Sequence, residues 1–489
     1  MSKAVFATVN CKKKLYASTS ESLAAVAPNV PMGLLASYMA SRGAPVELID
    51  SDAQDLSVAQ LVSLLFEKKP ALLVVIASGS NPSASTMSMV GIIDFFKEFY
   101  ASPEARDIPT AVWGPHPTVL PERTLKETGA DYIVKGEGYE TIFNLYENLT
   151  ARGKGLETIK GLCRMKDGRY AENAPAELVD VDTLPMIDWS AMRPAGYRAH
   201  NWHCFGAIDN RSPYAIVWTS MGCPYKCNFC CINNLFGKHT YRMRSIDSVV
   251  AEIDALVNVH GIRNIKILDE LFIIKHPRIL EFCDKLKERK YDLNMWCFAR
   301  VDTVTPEILK RLKEVGMNWV AYGFESVNHK VLQSAKKRYS LDLMLDVIKW
   351  SRDAGMNICA DAIFGLWDDD MDSMTATKEF IFKHQFEWIN IYPAFAYPGT
   401  ELYDQYMANG IIEAPRTWDQ YSLYGYDCEC LPTKHLTSSE VLRFRDDVFN
   451  EYFSRPEFLR MIERKFGQRT LEHVSSMTKI KLKRRILGD

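Results

Sequence analysis

The sequence predicts an α/β protein in three parts. A doubly wound parallel sheet comes first, a partial (β/α)6 barrel second, and a helical C-terminal extension last. Three observations predict this. Short apolar runs alternate with amphipathic helical patterns over residues 1–150. The alternation lapses over 151–212 and then resumes six times between 213 and 410. From 411 to 489 the chain turns aromatic-rich and then helical. At 489 residues it exceeds what one hydrophobic core supports, so several domains are expected.

The first part reads as five strands: AVFATV (4–9), PVELID (45–50), ALLVVIAS (71–78), TAVWG (110–114) and DYIVKG (131–136). Helical patterns separate them, such as LSVAQLVSLLFEKK and SASTMSMVGIIDFFKEFY. Ligands of such a sheet bind beyond the carboxyl ends of its strands. There the chain places small polar loops: SGSNPSAS (78–85), GPHPT (114–118) and GEGYE (136–140). Any one of them is an ordinary turn. Three at the ends of three strands mark a candidate crevice, with Ser78, Gly79, Ser80, Gly114, His116, Thr118, Gly136 and Glu137 as candidate contacts.

Residues 151–212 read as a linker whose TLPMIDWSAM stretch (183–192) docks rather than hangs free. The second series of strands is YAIVWTS (214–220), NIKILD (264–269), NMWCFA (294–299), WVAYGF (319–324), NICADAIFG (357–365) and WINIYPA (388–394). A βα barrel carries its chemistry at the carboxyl ends of its strands. In the tail, Trp418, Tyr421, Tyr424 and Tyr426 read chiefly as packing, with a substrate cap as the alternative. The closing KIKLKRRILGD reads as a solvated helical face.

Net charge is −2, which gives no general attraction to nucleic acid or anionic membrane. No run approaches the length of a membrane span, and MSKAVFATVNCKKK lacks a signal-peptide core. A cytoplasmic chain with reduced cysteines is expected.

Directly after the first barrel strand comes GCPYKCNFCC, with Cys223, Cys227, Cys230 and Cys231 within nine positions. A structural zinc site commonly uses two separated C-x2-C pairs, and no second pair follows at suitable spacing; Cys428 and Cys430 lie far downstream. Thioredoxin-type redox chemistry needs only C-x2-C in another fold context. Three thiolates in one tight loop suit a four-iron cubane with one iron left open.

The C-x3-C-x-aromatic-C pattern of GCPYKCNFC at this point of a six-unit barrel resembles the radical S-adenosylmethionine (SAM) superfamily, over roughly residues 213–400. The resemblance makes Cys223, Cys227 and Cys230 ligands of a [4Fe–4S] cluster and places Phe229 beside them. Cys231 falls outside the pattern and reads as a small buried residue. The resemblance further implies SAM contacts at Asp269 or Glu270 in LDELF, and at Glu325 and Ser326 in GFES. Arg300 in CFARVD would meet the SAM carboxylate or a neighbouring acid.

Residues 1–150 resemble the flavodoxin-like cobalamin-binding domain found ahead of many radical SAM enzymes, through PMGLLASYMASRGAPVELID, GPHPTVLPE and ADYIVKGEGYET. One departure is the lack of Asp-x-His-x-x-Gly, whose histidine ligates cobalt from below in methionine-synthase-like domains. His116 is therefore expected to pack against the nucleotide tail, with the lower face of cobalt weakly held or vacant.

Together these resemblances imply a radical SAM enzyme that uses a [4Fe–4S] cluster, SAM and cobalamin in a TIM-type partial barrel. The implied activity is C-methylation of an unactivated carbon in a small-molecule intermediate, through a 5′-deoxyadenosyl radical and methylcobalamin. A one-electron reductant of flavodoxin or ferredoxin type would feed it. AFAYPGTELY (394–403) and the aromatic tail also resemble the branch of the anaerobic magnesium-protoporphyrin monomethyl ester cyclase and the hopanoid methylases. An oxidative or cyclising reaction with the same cofactors is the rival reading, and a cobalamin or redox sensor is the non-enzymatic one. A methylthiotransferase would need a further N-terminal cysteine triad, and residues 1–150 hold only Cys11.

Overall fold

A computed structural model describes residues 3–16, 25–79, 81–151, 155–415 and 417–489. Strands β1 (Ala4–Ala7), β2 (Val46–Ile49), β3 (Leu72–Ile76), β4 (Thr110–Trp113), β5 (Tyr132–Val134), β6 (Leu162–Lys166) and β7 (Arg169–Glu172) form one sheet in the order β2-β1-β3-β4-β5-β6-β7. β1 to β5 run parallel. Their near-continuous apolar character follows from burial on both faces: every residue of β1, β3 and β4 is buried. Helices Val30–Ser41, Val58–Lys68 and Ala84–Phe99 connect the strands. The second starts at a capping box between Ser57 and Gln60. The strand order reverses between β1 and β3, so the crevice opens beyond their carboxyl ends.

Part of the expected linker belongs to this sheet. β6 and β7 extend it as an antiparallel hairpin turned by Asp167 and Gly168. The signal was hidden because only the first three residues of β6 are buried, while β7 carries an edge pattern of Arg, Tyr, Ala and Glu. The stretch 183–192 is docked as expected. Ile187, Trp189 and Met192 are buried, and the Trp189 indole N–H donates to Glu252 Oε1 at 2.9 Å.

The second sheet holds β8 (Tyr214–Val217), β11 (Asn264–Ile267), β12 (Asn294–Ala299), β13 (Met317–Glu325), β14 (Asn357–Phe364) and β15 (Trp388–Pro393), all parallel and in that order. Among the described residues β8 and β15 do not pair, so the barrel is partial. A two-residue ribbon, β9 (Ser220–Met221) with β10 (Arg242–Met243), brackets the cysteine loop.

Helix Ser438–Ser454 covers β15: Arg445 Nε donates to the Ile391 carbonyl at 2.7 Å. The final basic run is not a solvated helical face. It is mostly irregular, and Arg484 is fully buried. Arg484 donates to Asp446 and to the carbonyls of Leu423 and Gly425, so one cation holds the aromatic segment closed. Among the described residues no helix is long and apolar enough to cross a membrane.

The two sheets meet at their strand ends. Helix Pro115–Val119 packs on the turn Ile232–Leu235 that follows the cysteines. At Gly399 the two sides nearly touch: a Cβ there would lie 2.7 Å from Val119 Cγ1 and 2.8 Å from Asn234 Nδ2.

Candidate active site

The cysteine loop begins at a backbone that only glycine tolerates. Gly222 has φ +86°, and a Cβ would sit 2.5 Å from the Thr240 carbonyl oxygen. Asn233 then clamps the first cysteine by accepting from the Cys223 N–H (3.2 Å) and donating to its carbonyl (2.9 Å). Asn228 ties the middle of the loop to the Ser334 carbonyl at 2.9 Å and to the Leu402 N–H at 2.9 Å. Cys223, Cys227 and Cys230 are half-buried, whereas Cys231 is buried, as its position outside the spacing implied. Phe229 packs against the small apolar cluster that includes Val331 and Ala335.

Burial pushes the Cys223 thiol up to about 11 and the Cys230 thiol well above its ordinary value. Such thiols ionise only when a positive centre arrives, as a cluster's iron would. Among the described residues no three His, Cys, Asp or Glu side chains converge on one ion-sized position. A cubane asks for no such convergence, because each thiolate takes a separate iron. The soft donor set and its half-open position fit a cluster.

The two acids after β11 have different tasks. Asp269 is fully buried and accepts from the Thr219 N–H (2.6 Å), the Thr219 hydroxyl (2.5 Å) and the Ser220 hydroxyl (2.6 Å). Its carboxylate locks the turn after β8 to the end of β11. Glu270 is half-buried beside the cysteine loop, and burial pushes its carboxyl up to about 7.

Glu325 and Ser326 are also engaged within the protein. Glu325 ends β13 at φ +61°, a strained conformation for a non-glycine residue. Its Oε1 accepts from Lys337 Nζ at 2.5 Å in a pair that is nine-tenths buried. The Ser326 hydroxyl meets Thr377 at 3.3 Å and accepts from the Asn328 N–H, and at 1% exposure it does not reach the mouth. Arg300 forks onto Asp302 with two bonds of 2.9 Å, which is the neighbouring acid of the two expected partners.

In the first domain, Ser80 lies outside the described residues. The Ser78 carbonyl accepts from Asn29 Nδ2 at 2.9 Å. A Cβ on Gly79 would come 2.8 Å from Ala84 Cβ. Gly114 serves the packing of its own sheet: with φ +152°, a Cβ would fall 1.9 Å from the Ala77 carbonyl oxygen. The Thr118 hydroxyl donates to the Gly114 carbonyl (2.8 Å) and accepts from the Gly136 N–H (3.1 Å), tying two of the loops together. Glu137 grips the other domain: its carboxylate takes Arg242 on β10 at 2.6 and 3.2 Å.

His116 is the one histidine in residues 1–150. It is buried edge-on against Trp418 at 4.4 Å, with Nδ1 3.2 Å from the Thr86 hydroxyl. Burial lowers its pKa to about 3 and keeps it neutral. Trp418, brought from the C-terminal extension, stands where a nucleotide tail was expected. Trp418 and Tyr421 are packing, as their density suggested, while Tyr424 is half-buried and Tyr426 exposed.

Sequence reasoning missed the groups that face the barrel's interior. Lys266 on β11 is 2% exposed, lies over the rings of Trp296 and Phe298, and reaches Asn81 Oδ1 of the first domain at 3.4 Å. Burial lowers its pKa to about 7. Asp361 on β14 is held by Asn390 Nδ2 at 2.8 Å, and burial raises its carboxyl to about 7. Tyr392 on β15 keeps 39% of its surface open. A lysine inside NIKILD and an aspartate inside NICADAIFG, each flanked on both sides by apolar residues, were the available signals.

The Radical SAM superfamily model matches residues 219–381, and the B12 binding domain model matches residues 20–145. An uncharacterized methyltransferase of Pyrococcus horikoshii is 26% identical over 434 residues, covering 88% of this chain and 89% of the relative. The anaerobic magnesium-protoporphyrin IX monomethyl ester cyclase of Cereibacter sphaeroides is 26% identical over 351 residues, covering 69% of this chain and 53% of the relative. The solved structure of TsrM from Kitasatospora setae, a radical S-adenosylmethionine methyltransferase, shares the fold with a TM-score of 0.72 at 13% identity, covering 100% of this chain and 97% of that one.

Proposed function

We propose that this chain, a radical SAM protein with a B12-binding domain ahead of its barrel, methylates a carbon of a small molecule held between the two domains. The observation that carries the reading is the facing of two strand-end surfaces in one chain, with the three-thiol loop on one side and the crevice loops on the other. When bound, the cluster with SAM supplies a carbon-centred radical oxidant, and cobalamin supplies the methyl carrier.

In this reading Cys223, Cys227 and Cys230 hold the cluster. Glu270 takes the ammonium of SAM, because Asp269 is already saturated by Thr219 and Ser220. Ser78, Gly79 and Asn81, with the loops at 114–118 and 136, border the cobalamin. Lys266, Asp361 and Tyr392 border the substrate. Water is kept out by the docking of helix Pro115–Val119 on the turn Ile232–Leu235 and by the Glu137–Arg242 pair. A one-electron reductant of flavodoxin or ferredoxin type starts each cycle.

The test needs no substrate. Protein prepared without oxygen and loaded with iron, sulfide and cobalamin is reduced and given SAM with a deuterated methyl group. Label recovered on protein-bound cobalamin is the expected result. Bound, unlabelled cobalamin together with 5′-deoxyadenosine would turn the reading toward an oxidative or cyclising reaction, which the cyclase relative also suggests. No bound cobalamin would overturn the assignment of the first domain.

A further inference from the structure

We propose that Arg300 is a positioning residue that donates a hydrogen bond to the Cys227 sulfur and thereby raises the reduction potential of the cluster on Cys223, Cys227 and Cys230. The proposal rests on the cluster reading given above.

Three contacts fix the guanidinium. Nε and Nη2 each donate to Asp302 at 2.9 Å. Its plane lies over the Tyr225 ring, 3.8 Å from the centroid. The remaining nitrogen, Nη1, points at Cys227 Sγ from 3.7 Å, a normal reach for a sulfur acceptor. Only 11% of the side chain is exposed. The fork that would suit a carboxylate ligand is spent on Asp302, which leaves the Nη1 edge for the thiolate.

Reduction adds one negative charge to a cluster. A nearby permanent cation and an N–H donor to a ligating sulfur both favour the reduced form. Other cations nearby contribute less. Lys337 is paired with Glu325 as Arg300 is with Asp302, but its N–H groups go to Glu325 at 2.5 Å and to the Gly323 carbonyl at 3.1 Å rather than to a cysteine sulfur. Lys226 is adjacent to Cys227 in sequence but is exposed, so solvent screens it.

The experiment is a redox titration without SAM, followed by electron paramagnetic resonance, on anaerobic protein loaded with iron and sulfide. Iron and sulfide content is measured first. Near the wild-type midpoint, Arg300→Met should lower the reduced-to-oxidised ratio at least tenfold, which is 59 mV for a one-electron couple. Arg300→Lys should fall between the two, and Lys226→Met should stay within twofold of wild type. In heavy water, the coupling of an exchangeable deuteron to the reduced cluster should weaken in Arg300→Met. An unchanged ratio in Arg300→Met, or an equal fall in Lys226→Met, overturns the proposal. Should Arg300→Met fail to hold iron, Arg300→Lys carries the test, and an unchanged ratio there overturns it. A wild-type protein with no iron overturns the cluster reading itself, and this proposal with it.

Discussion

Replacing Glu137 by glutamine should loosen the two domains without weakening cobalamin binding. The carboxylate is 6% exposed and Arg242 is 18% exposed. Glu137 accepts from Arg242 Nη2 (2.6 Å), Arg242 Nη1 (3.2 Å) and the Val179 N–H (2.8 Å). Removing one partner of a buried ion pair costs about 3–5 kcal/mol, because the other charge stays buried. Arg242 would keep the Val179 carbonyl at 2.7 Å and the Phe236 ring at 5.1 Å, so the low end, about 3 kcal/mol, is expected. That is about a hundredfold more frequent opening. Hydrogen exchange at Val179 and at residues 232–235 reads it directly. A double-mutant cycle with Arg242→Met should return a coupling of about 2 kcal/mol or more. Additive single effects would refute the clamp. Loss of cobalamin from Glu137→Gln with exchange at the interface unchanged would make Glu137 a cofactor ligand and refute the reasoning outright.

Gly114→Ala should cost about 3–5 kcal/mol in urea denaturation, since it combines a left-handed backbone with a Cβ driven 1.9 Å from the Ala77 oxygen; wild-type stability would contradict that packing. Glu270→Gln should weaken SAM binding at least tenfold in equilibrium dialysis of the cluster-loaded protein, whereas Asp269→Asn should lower stability by about 1–3 kcal/mol and leave SAM affinity near wild type, because its carboxylate serves Thr219 and Ser220; the reverse pattern would exchange the two roles. His116 has a folded pKa lowered to about 3, below the ordinary value near 6.5, so between those limits the unfolded chain binds the extra proton and stability falls as pH falls. Against His116→Gln, the wild type should therefore lose about 1.6 kcal/mol between pH 6.5 and 5 in denaturant titrations, and a constant difference across that window would show that His116 is not buried and neutral.

The periodicities were legible because they are one-dimensional. Strand and helix positions follow from apolar runs and 3.6-residue patterns, and those runs became the eleven parallel strands of the two sheets. The β6–β7 hairpin was not legible, since an exposed edge pair carries no such signature. Among the site residues, the thiol spacing could be read because it is local. The partners of Asp269, Glu137 and Arg300 could not, because a carboxylate or guanidinium looks the same in sequence whether it meets a ligand or another part of the chain. Asp269 is consumed by a threonine fifty residues earlier, and Glu137 by an arginine 105 residues later.

The sequence by itself determined the two βα series, the three-thiol loop after the first barrel strand and the absence of an axial histidine motif. Each is a statement about residue order, and local physics suffices for it. Only the tertiary structure decided that the two strand-end faces meet, that Trp418 encloses His116, that Arg484 is buried and that the buried Lys266 reaches Asn81 of the first domain. Those outcomes depend on which distant groups satisfy one another when both charge and apolar surface must leave water, and that choice is made only when the whole chain is packed.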